Sequence, residues 1–250
     1  MEKYVKFIQS MSGRHNVWRL WNDFVEMLAC AIQMPFRENL SASRLDRYQK
    51  LFNSYTNDEM NKFDKLTDMI VDDMEKSTEC DIFGEIYMSL RLYSKQNGQY
   101  FTPYYVSKLM SKMVFATKHE SPTIIYEPTC GSGVNLIAYA NELKRNGINY
   151  QTEAYFVAQD LDSLVAMMCY IQMSLMGMAG VVIIGDTLKG IGGELLYTPF
   201  HYIHGPLIIP RIMKKKIEEI EIVSAKQEEV EWEEIGWIFE LIGEQLEDFI

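Results

Sequence analysis

Residues 124–133 read Ile-Ile-Tyr-Glu-Pro-Thr-Cys-Gly-Ser-Gly. A short β-branched run ends in an acid and a proline, and a small, glycine-punctuated turn then opens the amphipathic stretch Val134–Leu143. Strand, tight turn and helix in that order is the arrangement by which a doubly wound sheet aims backbone N–H groups at a ligand. Gly131 and Gly133 let the chain turn sharply and approach a bound molecule, because no Cβ intervenes. By itself a Gly-x-Gly turn reads equally as an ordinary βα connection. Its surroundings decide.

Downstream, strand and helix alternate. Thr123–Tyr126 leads into a helix ending near Asn146; Ala154–Ala158 leads into a helix from Asp162 to Met176. Val181–Ile184 runs into a Gly-Asp turn, and Leu195–Ile203 reads as a further strand. This spacing predicts βαβ units and a parallel sheet. Tyr202–Met213, with Gly205-Pro206 at its centre, reads as an antiparallel hairpin at the sheet edge.

Upstream the pattern is helical. Val17, Leu20, Trp21, Phe24, Val25, Leu28 and Ala31 recur at three- and four-residue steps, as do Phe63, Leu66, Ile70 and Met74, with Asn57 placed to cap the second helix. Ile82–Tyr93 is a third such stretch, and Val106–Phe115 a fourth after the aromatic turn at 99–103. The domain reading is therefore 1–97 helical, 98–213 α/β, and 214–250 an acidic amphipathic helix. The helical region reads equally as a docking module or as a cover for the sheet.

Of 250 residues, 48% are apolar, too many for a disordered chain, and no run approaches the roughly 18 apolar residues that span a bilayer. Without a secretory signal pattern at the N-terminus, a cytoplasmic location is the expectation. The four cysteines, at 30, 80, 130 and 169, form no Cys-x-x-Cys pair, which argues for free thiols. His201 and His204 lie three apart in a segment read as strand, so they point to opposite faces and no metal site is expected.

The net charge of −11 resides entirely in residues 217–250, which carry twelve of the 35 acids and one of the 24 bases. The body is neutral, unlike an independent DNA binder. In the tail, Ile235, Ile238, Phe239, Ile242, Leu246 and Phe249 form a helical stripe flanked by glutamates. Such a helix either packs on the body with its acids solvated or docks on a basic partner.

Acids stand at the ends of successive strands. Asp160 follows Gly133 by one helix and one strand, and Asp186 ends the third strand. That spacing suits an adenosyl group: Asp160 accepts the ribose hydroxyls, Leu161 covers the adenine, and Asp186 accepts from its amino group. Singly, each acid reads as a helix cap or a turn residue. In this order, the ligand reading is preferred.

Gly98-Gln-Tyr-Phe-Thr-Pro103 followed by Glu127-Pro-Thr-Cys-Gly-Ser-Gly133 resembles the adenine-N6 DNA methyltransferases, specifically the modification subunit of type I restriction–modification systems. The likeness runs from about Asp81 to Leu188, with Glu127 where the family has Asp. The resemblance implies an α/β, Rossmann-like S-adenosylmethionine-dependent methyltransferase domain preceded by an α-helical N-terminal domain. It implies S-adenosylmethionine binding by Gln99, Tyr100, Phe101, Thr102, Pro103 and Tyr104, and by Glu127, Thr129, Gly131, Ser132, Gly133 and Val134. Asp160, Leu161 and Asp186 complete that set.

The family's Asn-Pro-Pro-Phe/Tyr motif, whose acceptors hold the target amino group and whose ring stacks the flipped base, has no copy here. Tyr197-Thr-Pro-Phe200 stands nearest, so Thr198, Pro199 and Phe200 are the catalytic candidates of a degenerate motif. The chain after Phe200 is too short for the rest of a family domain, which makes the expected domain a truncated one. The expected partner is DNA, reached through a separate specificity subunit in a homo- or hetero-oligomer. A catalytically degenerate binding or decoy subunit, or a methyltransferase for another substrate, are the competing readings.

Overall fold

A computed structural model describes residues 1–39, 41–92, 100–118, 121–190 and 193–225. Gln99 and the tail beyond Ala225 lie outside the described residues. Helices α1 (Glu2–Met11), α2 (Val17–Gln33), α3 (Ala42–Ser54), α4 (Asn57–Lys76) and α5 (Ile82–Ser89) come first. Then follow α6 (Tyr104–Lys118), β1 (Thr123–Glu127), α7 (Val134–Arg145), α8 (Tyr150–Glu153), β2 (Ala154–Asp160), α9 (Ser163–Leu175), β3 (Gly180–Ile184), β4 (Glu194–Tyr197) and α10 (Pro199–Ala225).

The apolar stripe of α2 buries Leu20, Trp21, Phe24 and Val25, and Asn16 caps its first turn by accepting from Arg19 N–H. At α4 the cap is Thr56 rather than the expected Asn57. The Thr56 hydroxyl accepts from Glu59 N–H while the Glu59 carboxylate accepts from Thr56 N–H. Three residues beyond Asn57 stands Met60, which offers no such return bond, so the reciprocal pair wins.

The sheet order is β1-β2-β3-β4, with β1, β2 and β3 parallel and β4 antiparallel to β3. A parallel return needs a crossover of a dozen or more residues, and only residues 185–193 join β3 to β4. Alternate residues divide the sheet faces. Phe156, Ala158, Val182 and Leu196 join the core shared with α7, α9 and the N-terminal helices. Tyr155, Val157, Val181 and Ile183 face Ile208, Ile209 and Ile212 of α10. The N-terminal helices therefore share one apolar core with α9, against which α2 packs directly.

Residues 199–213 contradict both the strand to Ile203 and the hairpin. His201, Gly205, Ile208, Ile209 and Ile212 are buried at helical steps, while Pro210 is exposed and Pro206 half-buried. The gain from laying that stripe on the sheet outweighs the backbone bonds that Pro206 and Pro210 remove from the helix. His201 and His204 consequently share a helix. Tyr155 Oη lies 2.7 Å from His201 Nδ1, and His204 Nδ1 lies 2.7 Å from the Gln151 carbonyl.

Candidate functional site

The carboxyl ends of β1, β2 and β3 are laced together. Cys130 N–H donates to the Gln159 carbonyl at 2.8 Å, and Gly185 N–H to the Asp160 carbonyl at 3.0 Å. Thr187 Oγ1 donates to the Pro128 carbonyl at 2.5 Å. The glycine turn follows β1 and opens α7, with Gly131 at φ +55° and Gly133 at φ +99°. A Cβ on Gly133 would stand 2.9 Å from Cys169 Sγ, so conformation and space both demand glycine there.

Asp160 is the hub of the crevice. Its two carboxylate oxygens accept Gly131 N–H and Asp162 N–H, each at 2.9 Å. Each oxygen keeps a second lone pair for a ligand hydroxyl. Leu161 beside it is 71% exposed, and Thr129 is exposed at the rim. The Phe101 ring lies 3.8 Å from where a Cβ on Gly131 would stand, and it stacks on Tyr87 with centroids 5.5 Å apart. Thr102 is half-buried beside it, Tyr100 is exposed, and the Pro103 carbonyl accepts the first N–H bonds of α6.

Other expected ligand residues serve the scaffold. Ser132 is buried, and its hydroxyl donates to the Asp81 carboxylate. Glu127 accepts from Asn135 Nδ2 at 2.9 Å, and Val134 is buried at the start of α7. Tyr104 turns its hydroxyl to Asn141 Nδ2 at 3.1 Å, and burial raises its pKa. Asp186 makes the turn after β3, accepting from Leu188 N–H at 3.1 Å with Lys189 Nζ at 3.2 Å.

The sequence reading passed over Asp81. This buried carboxylate caps α5 through Gly84 N–H at 2.9 Å and accepts from Gln172 Nε2 at 2.8 Å and from Ser132. Gln172 also donates to the Ser132 carbonyl at 2.7 Å. Desolvation by burial pushes the Asp81 pKa up, against the three donors, which favour the ionised form. An Asp ahead of the apolar run Ile82-Phe83 is a legible helix cap, but its reach across 51 residues to the turn is a tertiary fact.

Beside the start of α9 opens a cleft of about 460 Å³ between Ser163, Met167 and α3. Its charges are paired, Arg44 Nη2 with Glu194 Oε2 at 2.8 Å and Arg47 with Glu26.

Thr198, Pro199 and Phe200 stand apart from the crevice. Because β4 runs antiparallel, Glu194 pairs with Ile184 at the carboxyl end of β3 and the chain leaves past Gly180, at the opposite end. Thr198 is fully buried there: its hydroxyl donates to the Met178 carbonyl at 2.7 Å, accepts from Gly180 N–H at 3.1 Å and caps α10 through His201 N–H. The Phe200 ring abuts Gly177 and His204. These residues do not assemble with Asp160.

A family model described as N-6 DNA methylase matches residues 78–203, half of the chain. The match takes in Asp81, the glycine turn and the ends of all three parallel strands. The chain belongs to the N-6 DNA methylase family. Among solved structures this methylase-family chain is similar to the type I restriction–modification system methyltransferase subunit from Streptococcus thermophilus, at 13% identity and a TM-score of 0.35. That alignment covers 75% of this chain and 57% of the other, so the chain spans little more than half of that subunit's length. No curated protein sequence matches it.

Among the described residues no cluster of histidine, cysteine and acidic side chains has the makings of a metal site, and no helix is long and apolar enough to cross a membrane.

Proposed function

We propose that this chain is an S-adenosylmethionine-binding member of the N-6 DNA methylase family that acts by association, with residues 197–200 supplying no acceptors for a target amino group. One observation carries this reading. The glycine turn and Asp160 meet at one end of the sheet, whereas Thr198 is sealed by backbone bonds at the other.

The residues at the carboxyl end fit the cofactor. Asp160 would take the ribose hydroxyls on its remaining lone pairs, exposed Leu161 would cover the adenine, and Phe101 with the glycine turn would line the methionine end. Bound there, S-adenosylmethionine supplies an activated methyl group. The chain's own part is to orient it and to exclude water with Phe101 and Tyr87. Sequence-specific contact with DNA would come from a separate specificity subunit, since the body of the chain carries no net positive charge.

Incubating the protein with methyl-labelled S-adenosylmethionine, adenine-containing duplex DNA and candidate specificity subunits tests the reading. No label in adenine is expected under any pairing. Label in adenine that disappears in Thr198→Val or Phe200→Ala would return catalysis to residues 197–200 and overturn it.

A further inference from the structure

The turn that opens α7 is gripped from outside its own strand and helix. Ser132 stands between Gly131 and Gly133, whose positive φ values mark the loosest links of the chain there. It is buried and held at two atoms: its hydroxyl donates to the Asp81 carboxylate, and its carbonyl accepts from Gln172 Nε2 at 2.7 Å. The other Nε2 hydrogen of Gln172 goes to Asp81 Oδ1 at 2.8 Å, and its Oε1 accepts Phe83 N–H at 3.4 Å. Both ends of this fully buried amide are therefore engaged between α5 and the turn.

Gly84 completes the arrangement. A Cβ on it would overlap Asp81 Oδ2 and Ser132 Oγ, so a side chain in the first turn of α5 would force the carboxylate and the hydroxyl apart. Helices ordinarily prefer alanine to glycine, and here close approach excludes it. The three donors to Asp81 are all neutral, and desolvation opposes its charge. A carboxylate so placed costs more to bury than an apolar side chain, but it fixes direction, because in its ionised form it only accepts. That direction reaches the crevice: with Ser132 held, Gly131 N–H meets Asp160 Oδ2 at 2.9 Å.

We infer that Asp81, together with Gln172, is a positioning residue for the crevice: from α5 and α9 they hold Ser132 so that the glycine turn keeps Gly131 on Asp160, and affinity for the adenosyl ligand depends on that hold. Asp81 is 3% exposed and acts through Ser132, not on the ligand itself. The dependence of affinity rests on the S-adenosylmethionine reading proposed above; the hold on the turn does not.

Amide exchange of the full chain, read residue by residue by NMR, and calorimetric titration with S-adenosylmethionine test this together. Gly84→Ala removes no hydrogen-bonding group and, on an unhindered helix, would stabilise. Here it is expected to speed exchange at Gly131 and Gly133 roughly tenfold or more, with residues 181–183 of β3 unchanged, and to weaken binding by a similar factor. Asp81→Asn, which keeps an acceptor for Gly84 and Gln172 and offers Ser132 a donor, should stay within about threefold of the unaltered chain on both measures. Unchanged exchange at the turn overturns the inference, and so does a loosened turn with unchanged affinity. Losses in Asp81→Asn equal to those in Gly84→Ala overturn it too. If the unaltered chain binds no S-adenosylmethionine, the reading proposed above falls, and exchange at the turn alone decides the hold. If Gly84→Ala loosens β3 as well, Ser132→Ala decides: faster exchange confined to Gly131 and Gly133 supports the inference, and an unchanged turn or a loosened β3 overturns it.

Discussion

At the scale of single residues, the crevice is held by groups that never need to touch a ligand. Asp81 joins α5, the glycine turn and α9 through three accepted bonds. Asp81→Ala strands three buried donors and is expected to cost about 2–4 kcal/mol in urea denaturation. Asp81→Asn keeps an acceptor for Gly84 and Gln172 and offers Ser132 a donor, so it should cost well under half as much. Equal losses would sink the hydrogen-bond account. Gly133→Ala meets a left-handed φ and the Cys169 thiol together, for about 2–4 kcal/mol. In a double-mutant cycle Cys169→Ala should recover the steric part and leave the backbone part; strict additivity would argue against the contact. The tight turn at Gly131 and Gly133 was legible because a positive φ leaves a signature in residue type. The inward turn of the Ser132 and Tyr104 hydroxyls, toward Asp81 and Asn141, was not legible, because sequence shows that a side chain is polar, not which way it faces.

At the scale of elements, α10 is the instructive case. Burial lowers the His201 pKa from 6.5 to about 4, with its ring held against Tyr155. The folded state therefore resists protonation while the unfolded chain accepts it from about pH 6.5 downward. Stability present above pH 6.5 is lost as pH falls toward 4, by up to about 3 kcal/mol. Denaturation midpoints should fall across that window, and His201→Gln should flatten the slope while lowering stability at neutral pH. An NMR titration placing His201 near its ordinary value would contradict this. Helix α10 escaped the sequence reading because Gly205-Pro206 looks like a turn. The competing signal, burial at 201, 205, 208, 209 and 212, depends on a sheet that only tertiary structure supplies. Strand β4 was legible as a strand but not in its direction, which the short link after β3 decides. The strand–helix alternation from β1 to β3 was plain, since hydrophobic period and turn chemistry agree there.

For the whole molecule, the single core running from Tyr4 through Trp21 and Phe83 to α9 makes the N-terminal helices part of the body that holds the crevice. Native-state hydrogen exchange should then give α2 and α9 the same opening free energy within about 1 kcal/mol. A markedly less stable α2 would show the helices to be a separate unit. The sequence left this choice open, because an amphipathic helix shows that it packs but not on what. The adenosyl pocket proposed at the carboxyl ends of β1, β2 and β3, with residues 198–200 outside it, is open to calorimetric titration of the full chain with S-adenosylmethionine. Saturable one-site binding is expected, weakened roughly tenfold or more in Asp160→Ala and unchanged in Phe200→Ala. Absence of binding, or equal loss in the two variants, would contradict it.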